Sequence, residues 1–418
     1  MPRTRGDGKL HITYNEMGQG DNILIACPNG KVVVIDCGSA RWDTKYFDLS
    51  VTPEVLREQA IRIVFDNCFL GTNQMVNALI LTHADKDHCN ELASVFDHTL
   101  TDGTSKVSEI CAVYFSDLFG SYIEGAANFY LLNKTKPENR YAITINATDQ
   151  KINDSAIESS PKNTAEINKK SSRLETQGFI KIIDGTEDKL NALPCNVYIL
   201  ASNVKTYPNI QDGYPNETPE GNRNRGSVVT MIIYGDKKFL FMGDATFHTE
   251  KFLKDTYGAK IQNLEFLHIG HHASYRTSSS YSNDPKQAQL VKNIDFIRHV
   301  NPRYLAVTAA YDSGSSLKLP RWETINNYIQ GAAGLLNKLG TLIHCWEYHE
   351  TEYIMVGKKR QVSQPKSDKL NDKITNKYIL CTGTHGALDF DYKEHDDGSG
   401  RKARAYKLEA DETETLLP

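Results

Sequence analysis

The chain has 418 residues, of which 39% are hydrophobic and 24% charged, with a formal net charge of −4 at pH 7. That length suits one large α/β domain with embellishments or two ordinary ones, and the mild acidity excludes capture of nucleic acid by bulk positive charge. Met1 to Tyr14 is basic and polar without an apolar core, and no run approaches the roughly 18 apolar residues of a membrane span, so the expectation is a cytoplasmic protein, or one exported by a route the sequence does not encode, without a membrane partner.

The opening reads as β-rich: His11 to Asn15, then Asn22 to Cys27, a turn at Pro28-Asn29-Gly30, and Lys31 to Asp36. Asn and Gly tolerate the left-handed backbone of a tight turn, so the two Val/Ile-rich runs form a hairpin. Residues 52–66 read as a helix. The apolar strand Val76 to Leu81 then delivers Thr82-His83-Ala84-Asp85-Lys86-Asp87-His88, with a helix expected from Asn90 onward. Two imidazoles and two carboxylates at one strand end point to a metal site, because such crowding of ionisable groups serves packing poorly.

From about 101 to 186 the chain turns polar. Apart from a strand at Ile110 to Phe115, this stretch reads as a helical or partly irregular insertion over the core. Strands resume at Cys195 to Leu200, Ser227 to Tyr234 and Lys238 to Met242, the last two joined at Gly235-Asp236 as a second hairpin. A strand at Leu264 to Ile269, a helix near Lys286 to Ile297 and a strand at Tyr304 to Thr308 follow. Ile343 to Tyr348 and Tyr378 to Thr382 read as strands, and 391–418 as a charged, loosely held tail.

The eight cysteines lack CxxC spacing and read as buried small hydrophobes in a reducing compartment. Arg223 with Arg225, and Arg401, Lys402, Arg404 and Lys407, form two basic clusters that read as solvated surface. His11, His98, His299, His344, His349, His385 and His395 read as structural or exposed, and Trp42, Trp322 and Trp346 as packing anchors. Asp21 and Asp36 serve either as turn caps or as supports of the site.

Three places share one pattern, an apolar β-run ending in metal-binding residues: Leu79 to His88, Phe239 to Asp244, and Phe266 to Ser274. Strand ends on one edge of a layered α/β fold converge, so these groups meet. Their imidazoles and carboxylates suffice for two divalent ions sharing a bridging Asp.

The motifs, in this order, resemble the metallo-β-lactamase superfamily, and within it the ComEC-type hydrolases related to the hydrolase domain of DNA-uptake proteins. Gly18-Gln19-Gly20-Asp21 is similar to that branch's GQGD strand, Ile35-Asp36-Cys37-Gly38 to its IDxG arm, and His83 to His88 to its HxDxDH core. Asn224 to Val229 is similar to its NxxSLV strand, Gly243-Asp244-Ala245 to its GDA, and Gly270 to Ser274 to its GHHGS. The resemblance implies a four-layer αβ/βα sandwich over 1–390 with the 101–186 insertion and a C-terminal extension.

It further implies that His83 and Asp85 hold one metal, that Asp87, His88 and His271 hold the other, and that Asp244 bridges, with Asp87 and Asp244 as the catalytic carboxylates. His272 is the alternative to His271, and the spare imidazole faces substrate or solvent. Asn224, Ser227, His272 and Ser274 are the expected substrate-binding residues. The implied cofactors are two divalent ions, Zn²⁺ or Mn²⁺. Asp85 stands where the superfamily usually has His, and no histidine lies between His98 and His248; the oxygen-rich shell favours the harder Mn²⁺. Leu319-Pro320 stands where the family often has His-Pro.

The implied function is a metal-dependent hydrolase, a phosphodiesterase or nuclease acting on a phosphoester such as nucleic acid or a nucleotide. The alternatives are hydrolysis of a small phosphoester, lactone or thioester, and a scaffold or binding protein of the same fold without turnover.

Overall fold

The computed structural model describes residues 8–39, 75–96, 107, 109–116, 122, 135–145, 172–176, 178–185, 193–204, 207, 210–211, 223–274, 277–282, 290–292, 294–309 and 319–333. Beyond these it describes the strand segments 342–348, 353–356, 359–362, 368–374, 379–381, 387–392, 403–406 and 414–416. The helix expected over 52–66, Trp42, His98, His349, His385 and His395 lie outside the described residues.

Two sheets dominate the described residues. The larger runs in the order Glu414–Leu416, Ala403–Tyr406, Ala387–Tyr392, Leu10–Tyr14, Ile23–Ala26, Val32–Ile35, Ala78–Leu81, Val113–Ser116, Arg140–Ile145 and Ser172–Thr176. The hairpin read from Pro28-Asn29-Gly30 is present, with Gly30 at φ 83 and the Cys27 N–H donating to Lys31 O at 2.8 Å. From Val32–Ile35 onward the strands are parallel. Val32–Ile35 and Ala78–Leu81 are buried throughout, as strands covered on both faces require.

The second sheet runs Ile180–Ile183, Cys195–Ala201, Val229–Tyr234, Lys237–Phe241, Phe266–His268, Tyr304–Val307 and Ile379–Cys381. Its first half is antiparallel, with a turn at Gly235 (φ 59), and its second half parallel.

The inner faces of the two sheets share one core: Ile12, Ile25, Ile35 and Ile80 from the first meet Val197, Ile232, Phe239 and Phe266 from the second. Tyr14 stacks on Phe266 across the interface at 5.4 Å. On the outer face of the first sheet, Leu24, Val34, Leu79 and Leu81 pack with Leu92, Val95 and Phe96 of the helix Leu92–Phe96. The helices Phe247–Tyr257, Ile294–Val300 and Trp322–Gly331 contribute Phe252, Leu253, Phe296, Ile297, Ile325 and Tyr328 to the larger core. Helix, sheet, sheet and helix make the four-layer α/β order read from the sequence.

Three readings change. The described parts of 101–186 are largely strands, because the β-branched run Ile143-Thr144-Ile145 in Arg140–Ile145 fits a pleated sheet better than an irregular cover. Leu290–Lys292, expected as helix, is a strand paired with Ser279–Ser282, and the helix begins only at Ile294. Beyond 390, Ala403–Tyr406 and Glu414–Leu416 add to the sheet through Ala387–Tyr392, which pairs with the otherwise open edge of Leu10–Tyr14.

Candidate metal centre

The strand Ala78–Leu81 ends at Thr82, whose N–H and hydroxyl both donate to the carboxylate of Asp36, at 2.7 and 2.6 Å. Asp36 itself stands at φ 55, a conformation Asp tolerates better than most residues. The chain then turns through His83 and Asp85 into the short helix Lys86–Cys89. Backbone bonds seat that helix on the opening hairpin: Cys37 N–H donates to His88 O at 2.8 Å and Asp21 N–H to Asp87 O at 3.1 Å. Cys89 turns its thiol toward the carbonyl of Asp85 at 3.4 Å.

Parallel pairing brings the other two strand ends to the same edge. Phe241 is opposite His268, so the chain leaves both strands side by side, and His271 N–H donates to Gly243 O at 2.9 Å. Asp244 follows the turn at Gly243. Its backbone N–H donates to Ser227 Oγ at 3.2 Å, which aims the carboxylate into the gap between the sheets.

Four imidazoles surround that carboxylate. His88 Nε2 lies 3.2 Å from Asp244 Oδ1 and His272 Nε2 lies 3.5 Å from the same oxygen. His271 Nε2 and His83 Nε2 lie 3.7 and 3.8 Å from Oδ2. His272 Nε2 is also 3.5 Å from Asp87 Oδ2. Donors bonded tetrahedrally to one cation at about 2.1 Å stand about 3.4 Å apart, so these separations are those of a shared ion.

Hydrogen bonding tests whether these groups suit a metal. His88 Nε2, His272 Nε2 and Asp244 Oδ1 are all buried and have no hydrogen-bond partner. Orphaned donors converging on one point carry the desolvation cost of buried polar groups until something binds them. Two sets of donors within 4.8 Å of one another meet here, His83, His88 and Asp244, and Asp87, His88 and His272.

The other ring nitrogens are held so that Nε2 keeps its lone pair. His88 Nδ1–H donates to Asp36 Oδ2 at 2.8 Å. His272 Nδ1–H donates to the carbonyl of Thr308, which can only accept. The Thr82 hydroxyl gives its proton to Asp36 and so accepts from His83 Nδ1 at 3.1 Å. A carboxylate or carbonyl behind a ligating imidazole fixes its tautomer and orientation. Asp21 lies behind the same rings, 3.6 Å from His272 Nδ1, 3.8 Å from His268 Nε2 and 3.9 Å from His88 Nδ1.

Charge sets the protonation. Burial disfavours the His88 cation, but Asp244 and Asp36 outweigh it and push the pKa well up. The same contest, with Asp244, Asp87 and Asp21 opposing burial, raises His272 to about 9. Asp244 is buried, yet His271, His88 and His272 hold its pKa well below the ordinary carboxylate value. Burial also opposes ionisation of Asp85, but His83 and Arg223 hold it down at about 2. Burial alone dominates at His268, whose pKa falls, and at Asp36, whose pKa rises.

The structure thus gathers His83, Asp85, Asp87, His88, Asp244, His271 and His272 around one point. His272, the alternative to His271 in sequence, is the imidazole that reaches Asp87, while His271 is partly exposed and 3.3 Å from Asn224 Nδ2. Ser227 is fully buried behind His83 and Asp244, and Ser274 is buried with its carbonyl accepting from the Thr324 hydroxyl. Sequence reasoning left Arg223 on the surface, but its Nε donates to Asp85 Oδ1. The readings of His11 as structural and of His299 as structural agree with their placement, His11 buried in a strand and His299 Nε2 donating to Gly258 O at 2.8 Å.

No family model and no curated protein matches the chain. Solved structures do. The metallo-beta-lactamase fold protein YhfI from Bacillus subtilis is 11% identical with a TM-score of 0.33, the match covering 78% of this chain and 94% of that one. Human tRNase Z, short form, is 11% identical with a TM-score of 0.35, covering 71% and 92%. CmlA, a diiron beta-hydroxylase from Streptomyces venezuelae, is 11% identical with a TM-score of 0.30, covering 72% of this chain and 44% of that one. Among the described residues no helix is long and apolar enough to cross a membrane.

Proposed function

We propose that this chain is a cytoplasmic metal-dependent hydrolase of the metallo-β-lactamase type that cleaves phosphoester bonds, with a nucleotide or nucleic acid phosphodiester as substrate. The observation that carries the reading is the set of orphaned, buried donors His88 Nε2, His272 Nε2 and Asp244 Oδ1, the two nitrogens lying 3.2 and 3.5 Å from the carboxylate oxygen. Asp87 completes the set from the partly exposed side.

A divalent ion bound there would supply a water of lowered pKa and a Lewis acid for an oxygen of the scissile group. The chain's own residues supply the rest. Asp36 and Thr308 hold the imidazoles of His88 and His272 in register. Ser227 holds Asp244 by its backbone. The rim that faces solvent comprises Asp85, Asp87, Arg223 and His271. Arg223 offers N–H groups and positive charge to an anionic group above the centre, which favours a phosphoester over a neutral lactone or thioester.

The test is incubation of purified protein with single- and double-stranded DNA, RNA, cyclic nucleotides and bis(p-nitrophenyl) phosphate, with Mn²⁺ or Zn²⁺ and with chelator. Cleavage of a phosphodiester that needs metal and is lost in Asp244→Asn supports the reading. Metal-dependent turnover confined to a lactone or thioester moves the substrate class, and a chain that binds no metal is a scaffold.

A further inference from the structure

We infer that the guanidinium of Arg223 occupies the cation position beside Asp85, so that the centre holds one divalent ion, among Asp87, His88, Asp244 and His272, instead of two. The inference rests on the metallohydrolase reading above and specifies its metal content.

Three observations lead there. Arg223 Nε donates to Asp85 Oδ1, so one oxygen of this carboxylate already faces a full positive charge, while Oδ2 faces His83 Nε2 at 3.5 Å. Among the described residues, no set of three donors within 4.8 Å of one another includes Asp85, whereas the two sets around Asp244, Asp87 with His88 and His272 and His83 with His88 and Asp244, share His88 and so point to one ion. The imidazoles on the Asp85 side are shared with Asp244: His83 Nε2 lies 3.5 Å from Asp85 Oδ2 and 3.8 Å from Asp244 Oδ2, and His271 Nε2, 3.7 Å from Asp244 Oδ2, is also 3.3 Å from the Asn224 amide nitrogen.

A divalent ion placed beside Asp85 would stand against the Arg223 guanidinium already paired with that carboxylate, and like charges so close repel. Arg differs from Lys here because its planar fork engages one carboxylate oxygen while keeping further N–H donors for an anionic substrate. Arg223 and Asp85 are both about one-fifth exposed, so those donors reach the opening.

The test counts metal. Protein reconstituted with Mn²⁺, dialysed and measured by mass spectrometry of metals is expected to hold about one equivalent per chain, with the paramagnetic resonance of an isolated ion and not of an exchange-coupled pair. Arg223→Met should raise the content to about two equivalents, and adding Asp85→Asn should return it to about one. Asp85→Asn alone should leave the native count unchanged. Two equivalents or a coupled pair in the native chain, loss of an equivalent in Asp85→Asn, or a folded Arg223→Met chain that stays at one overturns the inference. A native chain without metal overturns the metallohydrolase reading as well.

Discussion

The Nδ1 atom of His88 lies 2.8 Å from Oδ2 of Asp36, and both side chains are fully buried. The same carboxylate accepts from the Thr82 N–H and hydroxyl, so one acid positions both the ligand turn and the imidazole that closes it. Asp36→Asn keeps the shape and the tolerance for φ 55 but removes the charge. Metal affinity should fall about 10- to 100-fold, as for other groups that orient a ligating imidazole. Titration calorimetry would measure it, with a thermal melt of the metal-free protein to show that the fold persists.

Asp244 is where the centre is most vulnerable, since its two oxygens face His88, His272, His271 and His83. Asp244→Asn replaces an anion by a neutral amide and should remove the bound ion and more than about 100-fold of the hydrolytic rate, exceeding the loss for Asp36→Asn. Metal analysis after dialysis and the phosphodiester assay would read the two effects. Retention of both would show that Asp244 is not a ligand.

Metal-free protein should lose stability as pH rises from 6.5 to about 9. The folded-state pKa of His272 is raised above its unfolded value. The native state therefore holds a proton that the unfolded chain has released, and the stabilisation, full below 6.5, vanishes through about 9. Asp85 has the opposite sign: its contribution is present above 3.8 and disappears as pH falls toward about 2. Metal displaces the His272 proton, so affinity should rise with pH over the same alkaline window. Melting curves at several pH values, with chelator and with Mn²⁺, would test both statements.

Behind the histidine turn, Ser278, Glu250 and Tyr328 form a buried polar network. Ser278 Oγ donates to Glu250 Oε1 at 2.6 Å, and Tyr328 OH donates to the same oxygen at 3.1 Å. Tyr328→Phe deletes one donor and should destabilise the fold by about 1–3 kcal/mol. Urea unfolding would measure it. The network ties two helices to the end of the 271–278 segment, so metal affinity should weaken in the same variant.

What could be read from sequence was what is local. His83 to His88 lie within one turn, and the apolar runs before Thr82, Asp244 and His271 announce parallel strands whose ends meet. The choice between His271 and His272 depended on backbone that residue type conceals. His271, His272 and Ala273 stand at φ 51, 50 and 57, three successive left-handed residues without a glycine, and this run swings the His272 ring inward. Arg223 was read as surface because its partner Asp85 is 138 residues away. The strands beyond 390 were missed because their charged composition resembles a tail, and only the open edge at Leu10–Tyr14 recruits them.

Close backbone approach offers a final test of how the ligand turn is held. A Cβ built on Gly38 would lie 2.4 Å from the carbonyl carbon of Asp87 and 2.5 Å from the His88 nitrogen, all backbone atoms that cannot swing aside. Gly38 N–H also donates to Asp21 O at 3.1 Å, and Asp21 N–H to Asp87 O, so the hairpin and the ligand turn are stitched at this point. Gly38→Ala must therefore push the Asp87-His88 segment away from Asp244 and Asp36. It should cost at least about 1–3 kcal/mol of stability from overpacking, with metal binding lost well before the fold. Gly178→Ala is the control, because nothing lies within 4 Å of its Cβ position and its melting and metal content should stay unchanged. If Gly38→Ala binds metal as the native chain does, the turn is not positioned by this contact.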